Sequence, residues 1–297
     1  MPNILNYLFE TNAIKFCKEN EPFWYTSGKI GPYFFNSQFV YGSEEKSNEF
    51  LNYITGELEL IKENKESKND LPKKLLDKVL AQYNTNSIYQ DTINQMKDYI
   101  EKNIGIENFE YISGGERRDW YFSIIIAYLL NKPHLTIFKD MTAILSNPDF
   151  SNTTEITDLN GAKVLHLADP ITTASSYIKM WVPIINNLNG KMEHTLVIID
   201  RNQGGKENLK EVGVTSHALA TVDTTLFKTA LEQKFINQEQ YDMIIKYFNN
   251  PDETMREFLI AHPEFIENSL KSTNERTLKR VHTLIDEDLY NLKEIKN

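Results

Sequence analysis

Thr172, Thr173, Ser175 and Ser176 stand in one short stretch, directly after the apolar run Val164-Leu165-His166-Leu167-Ala168 and the pair Asp169-Pro170. The run has the pattern of a buried strand. Pro170 cannot continue a sheet ladder, so the strand is expected to end at Asp169. Tyr177-Ile178-Lys179-Met180-Trp181 then carries on as a helix. Hydroxyls and backbone N–H groups at the start of a helix favour an anion, which makes Thr172 to Ser176, with Ala174 between them, a candidate phosphate cradle. The same residues also make ordinary helix caps with no ligand.

A second cluster, Gly114-Gly115-Glu116-Arg117-Arg118-Asp119, lies between a short strand over 109–113 and an apolar helix over 123–130. Gly114 and Gly115 permit backbone close to an anion, and Arg117 and Arg118 offer forked donors. The competing reading is an exposed arginine pair bridged to Glu116 and Asp119. A third cluster, Asp200-Arg201-Asn202-Gln203-Gly204-Gly205, follows the strand 194–199. Upstream, Pro22 to Ser37 holds six aromatic residues broken by Ser27-Gly28 and Gly31-Pro32, the signature of a hairpin with aromatic core residues.

The elements around these clusters alternate. Strand, glycine turn, helix and strand over 109–138 make a βαβ unit, and 164–222 repeats the pattern, so the fold class is α/β, a parallel sheet flanked by helices. Ligands in such sheets bind beyond the carboxyl ends of the strands, where all three clusters fall. Residues 3–20 read as a helix. Residues 43–108 read as a helical insertion with solvated charges, and 224–297 as a helical C-terminal extension, leaving 1–223 as the α/β domain.

Composition narrows the function. With 297 residues, 40% apolar and 25% charged, the chain reads as a soluble globular protein, and a net charge of −10 argues against a nucleic-acid groove. No apolar run approaches the roughly 18 residues of a membrane span. The start lacks a basic segment followed by an apolar core, and the one cysteine, Cys17, suits a reducing compartment, so a cytoplasmic location is expected. Histidines show no metal-ligand spacing. A polyanion site here has to concentrate cations locally or borrow a metal ion.

The ordered stretches over roughly 22–38 and 109–222 resemble type I phosphoribosyltransferases, and orotate phosphoribosyltransferases above all. Asp-Arg-x-Gln-Gly-Gly with Glu-Asn-Leu after it is the most specific match, Pro-Tyr-Phe-Phe-Asn the next. The resemblance implies transfer of a phosphoribosyl group from phosphoribosyl pyrophosphate to orotate, with Mg²⁺ held mainly by substrate, in a homodimer. It assigns Asp169 to the ribose hydroxyls and Thr172 to Ser176 to the 5-phosphate. Lys139, with Gly114, Gly115, Arg117 and Arg118, falls to pyrophosphate, and Phe34, Phe35 and Arg201 to the base.

Several positions depart from that pattern. Ala168 replaces an acidic residue, Ala174 and Ser175 replace glycines, and Thr26, Phe138 and Thr142 replace basic residues. The segment Met141 to Gly161, where the family has a flexible lid with a lysine and a histidine, contains no Lys, Arg or His. A ligand-binding regulator without turnover, or an enzyme for another nucleobase, is the alternative these departures leave open.

Overall fold

The computed structural model describes residues 4–18 and 20–293, and its packing divides the chain into two units. One comprises residues up to 13 together with 37–222; the other comprises 14–36 together with the chain from 223 onward. The sequence places 14–36 with the α/β domain, whereas here they join the C-terminal helices.

The reason lies in what the aromatic residues of 14–36 find to pack on. In this smaller unit β1 (Ile14–Phe16) pairs with β4 (Tyr33–Phe35), and β2 (Phe23–Trp24) with β3 (Ile30–Gly31), all antiparallel. The rings of Phe16 and Tyr33 lie 6.5 and 5.2 Å from Phe227, and Trp24 stacks on Phe265 at 5.4 Å. The Ile30 N–H donates to the Tyr290 hydroxyl at 2.9 Å. Helices Thr224–Glu232, Gln238–Asn249, Pro251–Ala261, Glu264–Leu270 and Glu275–Asp286 complete the unit. The second of these starts on a reciprocal cap between Asn237 and Gln240.

The helix expected over 3–20 is much shorter: α1 spans Ile4–Glu10. Asn12 takes a left-handed φ of 56°, which ends the helix, and β1 follows. Asn3 and Glu19 lie outside the described residues.

The larger unit carries the insertion as α2 (Glu44–Lys62), α3 (Leu71–Thr85) and α4 (Ser87–Tyr99). Ser43 and Asn86 cap α2 and α4 through their side chains. The sheet follows: β5 (Tyr111–Gly115), α5 (Trp120–Leu129), β6 (His134–Ile137), β7 (Ala143–Ser146), β8 (Thr153–Glu155), β9 (Lys163–Ile171), α6 (Val182–Asn187), β10 (Lys191–Asp200), α7 (Gly205–Glu211) and β11 (Thr215–Thr221). Strand order is β11-β10-β9-β5-β6-β7-β8. The strands from β11 to β6 run parallel; β7 and β8 add an antiparallel edge. This is the expected sheet flanked by helices, parallel as expected except at its antiparallel β7–β8 edge.

Two details correct the sequence reading. First, β9 continues through Asp169 and Pro170 to Ile171, with Pro170 opposite Ile199. The Ile171 carbonyl accepts from Arg201 N, so the polar groups of Ile171 face β10 and those of Pro170 face the other side. Pairing with β5 has already stopped at Ser113–His166, so the missing N–H of proline breaks no ladder bond. Second, the uncharged segment 141–161 includes a β7–β8 hairpin sewn onto β6. Ile144 and Phe150 anchor it with 2% exposure each, and Ser146 and Thr153 join hydroxyls across it at 2.8 Å.

Gly114 and Gly115 are fixed by packing. A Cβ on Gly115 would lie 2.3 Å from the Trp181 ring, and one on Gly114 would lie 2.1 Å from Ser123 Oγ. An indole in a packed core cannot retreat as a flexible chain end can. Gly115→Ala is therefore expected to lower unfolding free energy by about 2–3 kcal/mol, read from urea denaturation.

Candidate active site

Beyond the carboxyl end of β9 the larger unit has a cleft of ≈ 320 Å³. One wall is the turn Thr172 to Ser176, the other the loop Glu116 to Asp119, with Lys139 at its rim and Ala168 to Ile171 as its floor. The structure thus brings together Asp169, the hydroxyl turn, both arginines and Lys139.

The turn is shaped by α7. Asn208 Nδ2 donates to the Thr173 carbonyl at 3.0 Å. Gly205 lies so close to the Thr172 carbonyl oxygen that a Cβ would come within 2.6 Å of it. Both carbonyls therefore face α7. In a trans peptide the next N–H points the opposite way, which turns the N–H groups of Thr173 and Ala174 away from α7. Ala174 has a φ of 58°, a left-handed backbone that glycine would adopt without strain. The backbone shape of a glycine turn is kept with an alanine in it. A helical turn over 177–181 leads on to α6.

Asp169 is 5% exposed, and its Oδ2 makes no hydrogen bond. Arg118 Nη1 stands 3.5 Å from that oxygen. Burial pushes the Asp169 carboxyl up to about 7; the Arg118 guanidinium opposes this and the Asp119 carboxylate adds to it. Asp119 is itself held, accepting the Gly115 N–H at 3.0 Å and lying 3.5 Å from His166 Nε2. His166 Nδ1 shares a hydrogen with Ser113 Oγ at 2.9 Å, and its ring stacks on Trp181 at 6.2 Å. The Tyr177 ring meets it edge-on at 5.0 Å. This buried set fixes the floor beneath Asp169.

The cations differ in freedom. Arg117 donates to Thr55 Oγ1 on α2 at 2.6 Å, Arg118 faces Asp169, and the exposed Lys139 lines the rim. Glu116 Oε2 accepts the Lys139 backbone N–H at 3.1 Å, tying the two loops. Three cationic side chains (Arg117, Arg118, Lys139) face three carboxylates (Glu116, Asp119, Asp169) in the cleft, far from the −10 balance of the whole chain.

Other expected residues fall elsewhere. Gly114 and Gly115 are buried behind the loop and do not line the cleft. Arg201 follows β10, its N–H bonded to the end of β9. Phe34 and Phe35 belong to the smaller unit, with ring neighbours Phe23 and Tyr33. Sequence reasoning missed His166, and it read Asp119 only as a surface partner for arginine. The visible signals were a lone histidine in an apolar strand and a carboxylate four residues past Gly115.

No family model matches the chain. Over 142 residues it is 30% identical to an orotate phosphoribosyltransferase of Sulfolobus acidocaldarius, a match covering 47% of this chain and 68% of that protein. A second orotate phosphoribosyltransferase, from Sulfurisphaera tokodaii, is 33% identical over 127 residues, 43% of this chain and 60% of that one. Among solved structures, orotate phosphoribosyltransferase from Francisella tularensis shares the fold with a TM-score of 0.51 at 14% identity, over 82% of this chain and 96% of that one.

The raised carboxyl makes stability depend on pH with a definite sign. Between the ordinary value of 3.8 and about 7, the folded state binds a proton at Asp169 that the unfolded state has released. The contribution of this group to stability therefore falls as pH rises through that window. Asp169→Asn removes it. The melting temperature of the variant minus that of the wild type is expected to climb from pH 4 to pH 7 and level off above. A difference independent of pH would show that Asp169 is not held protonated.

Proposed function

The chain belongs to the orotate phosphoribosyltransferase family of type I phosphoribosyltransferases, and from that membership we propose that it transfers a phosphoribosyl group from phosphoribosyl pyrophosphate to orotate. The products are orotidine 5'-monophosphate and pyrophosphate. The observation that carries this reading is the Thr172–Ser176 turn, its carbonyls drawn toward α7, standing beside the buried Asp169.

The reaction needs no protein nucleophile. The bond from ribose C1 to the pyrophosphate oxygen loosens, positive charge develops on the ring, and a nitrogen of the base attacks C1. The chain's part is to hold both partners and to meet the charge on the leaving group. The turn from Thr172 to Ser176 takes the 5-phosphate. Asp169 accepts hydrogen bonds from the ribose hydroxyls. Lys139 and Arg118 face the pyrophosphate, with Arg117 held back by Thr55. Arg201, with its forked donors, suits the base's carboxylate.

Mg²⁺ fits this donor set only as a guest carried by substrate. The buried Asp169 Oδ2 without a hydrogen bond is one oxygen ligand of the right kind. No group of three or more His, Cys, Asp or Glu side chains among the described residues gathers to hold a metal. When bound, the ion would offset negative charge on the pyrophosphate.

Mixing the protein with orotate, phosphoribosyl pyrophosphate and Mg²⁺ and following the loss of orotate absorbance tests the reading. Turnover is expected, and Asp169→Asn should lower kcat about a hundredfold or more with no loss of melting temperature at pH 8. Absent turnover, with phosphoribosyl pyrophosphate still raising the melting temperature, would replace orotate by another base or the enzyme by a binder.

A further inference from the structure

The turn that presents Lys139 to the cleft is held by a residue from the helical insertion, Lys68. Phe138 N donates to Thr142 O at 2.9 Å and Met141 N to Phe138 O at 3.2 Å, which closes the β6–β7 turn around Lys139 and Asp140. Asp140 Oδ1 accepts from Thr142 N at 3.1 Å and from Thr142 Oγ1 at 2.6 Å. Its other oxygen, Oδ2, accepts from Lys68 Nζ. The same ammonium donates to Thr142 Oγ1 at 2.8 Å and lies 4.6 Å from the centre of the Phe138 ring. Lys68 therefore touches residues on both sides of Lys139.

The electrostatic setting gives this contact a use. Arg117 is bonded to Thr55 and Arg118 faces Asp169, so among the described residues Lys139 is the cleft cation whose side chain has neither an ion pair nor a hydrogen bond. The next residue, Asp140, is an exposed carboxylate. An ionised Asp140 would set a negative charge beside any anion that Lys139 holds, and would compete for Lys139 itself. Burial works against its charged form, yet Lys68 and Thr142 outweigh it and keep the carboxyl below its ordinary range, so the charge is present and needs a partner.

We propose that Lys68 is a positioning residue: it neutralises Asp140 and pins the 138–142 turn, leaving the Lys139 ammonium free for the pyrophosphate part of the substrate. This rests on the phosphoribosyl-transfer reading of the cleft. It makes the helical insertion, which packs at a distance in sequence, part of the anion site.

Inorganic pyrophosphate is the probe, titrated calorimetrically into wild type, Lys68→Met, Lys68→Arg, Asp140→Asn and the double variant Lys68→Met/Asp140→Asn. Lys68→Met is expected to weaken pyrophosphate about three- to tenfold, while Lys68→Arg stays near wild type. Asp140→Asn should bind at least as well as wild type, and the double variant should return to that level. In turnover, Lys68→Met should raise KM for phosphoribosyl pyrophosphate and leave kcat within about twofold. Unchanged affinity in Lys68→Met overturns the proposal. So does a loss that Asp140→Asn fails to restore, because a purely structural role for Lys68 would not be repaired by removing a charge. If Lys68→Met does not fold, Lys68→Arg and Asp140→Asn decide: an arginine variant that loses affinity overturns the inference. Wild type that ignores pyrophosphate would instead overturn the reading of the cleft.

Discussion

A carboxylate stripped of water at the end of a parallel strand is the constraint on which the site depends. Asp169 has lost nearly all its solvent contact, and among the described residues the cation beside it is Arg118, at 3.5 Å. Such a group is tolerated where it keeps a proton or gains a partner, and a ligand can complete its contacts. The site's rigidity comes from neighbours with no freedom of their own. Trp181 packs over the backbone of Gly115 and against His166, and Asp119 is fastened to the same backbone. Around the buried Asp169 a charge acts more strongly than it would in water.

The sheet supplies the opening. β5 stops pairing with β9 before Asp169, so the last residues of β9 have one side without a strand partner. That gap lets Pro170 stand in a central strand, and it leaves the floor of the cleft exposed to the arginine loop. The other side of β9 stays paired with β10 as far as Ile171, which holds the floor in register with Asp200.

Much of this was readable in sequence because buried parallel strands announce themselves as apolar runs. Val164 to Leu167 and Leu196 to Ile199 did so, and the hydroxyl turn followed directly. What escaped was non-local or exceptional. The Ser113–His166 bond joins residues 53 apart, and only strand pairing makes them neighbours. Pro170 misled because a rule about paired strands was applied to a side that has no partner. The helix over 3–20 was overextended because Asn12, a left-handed stop, looked like one more polar residue. The hairpin at 141–161 was hidden by a comparison that suggested a loop, although Ile144 and Phe150 are core-sized side chains with nowhere else to go. Lys68 could not be read at all, since its partners lie some seventy residues away.

The two rims of the sheet are unlike, and this bears on aggregation. An outer strand offers a row of backbone groups on which a strand from another molecule can be laid. β8 is only three residues long, Thr153-Thr154-Glu155, polar throughout and ending in a charge. β11 is longer, but α1 and α4 pack against it, and Tyr99 from α4 reaches its His217. A stray strand finds little template at one rim and packed helices beside the other, so growth of this sheet from chain to chain is opposed by different means at its two ends.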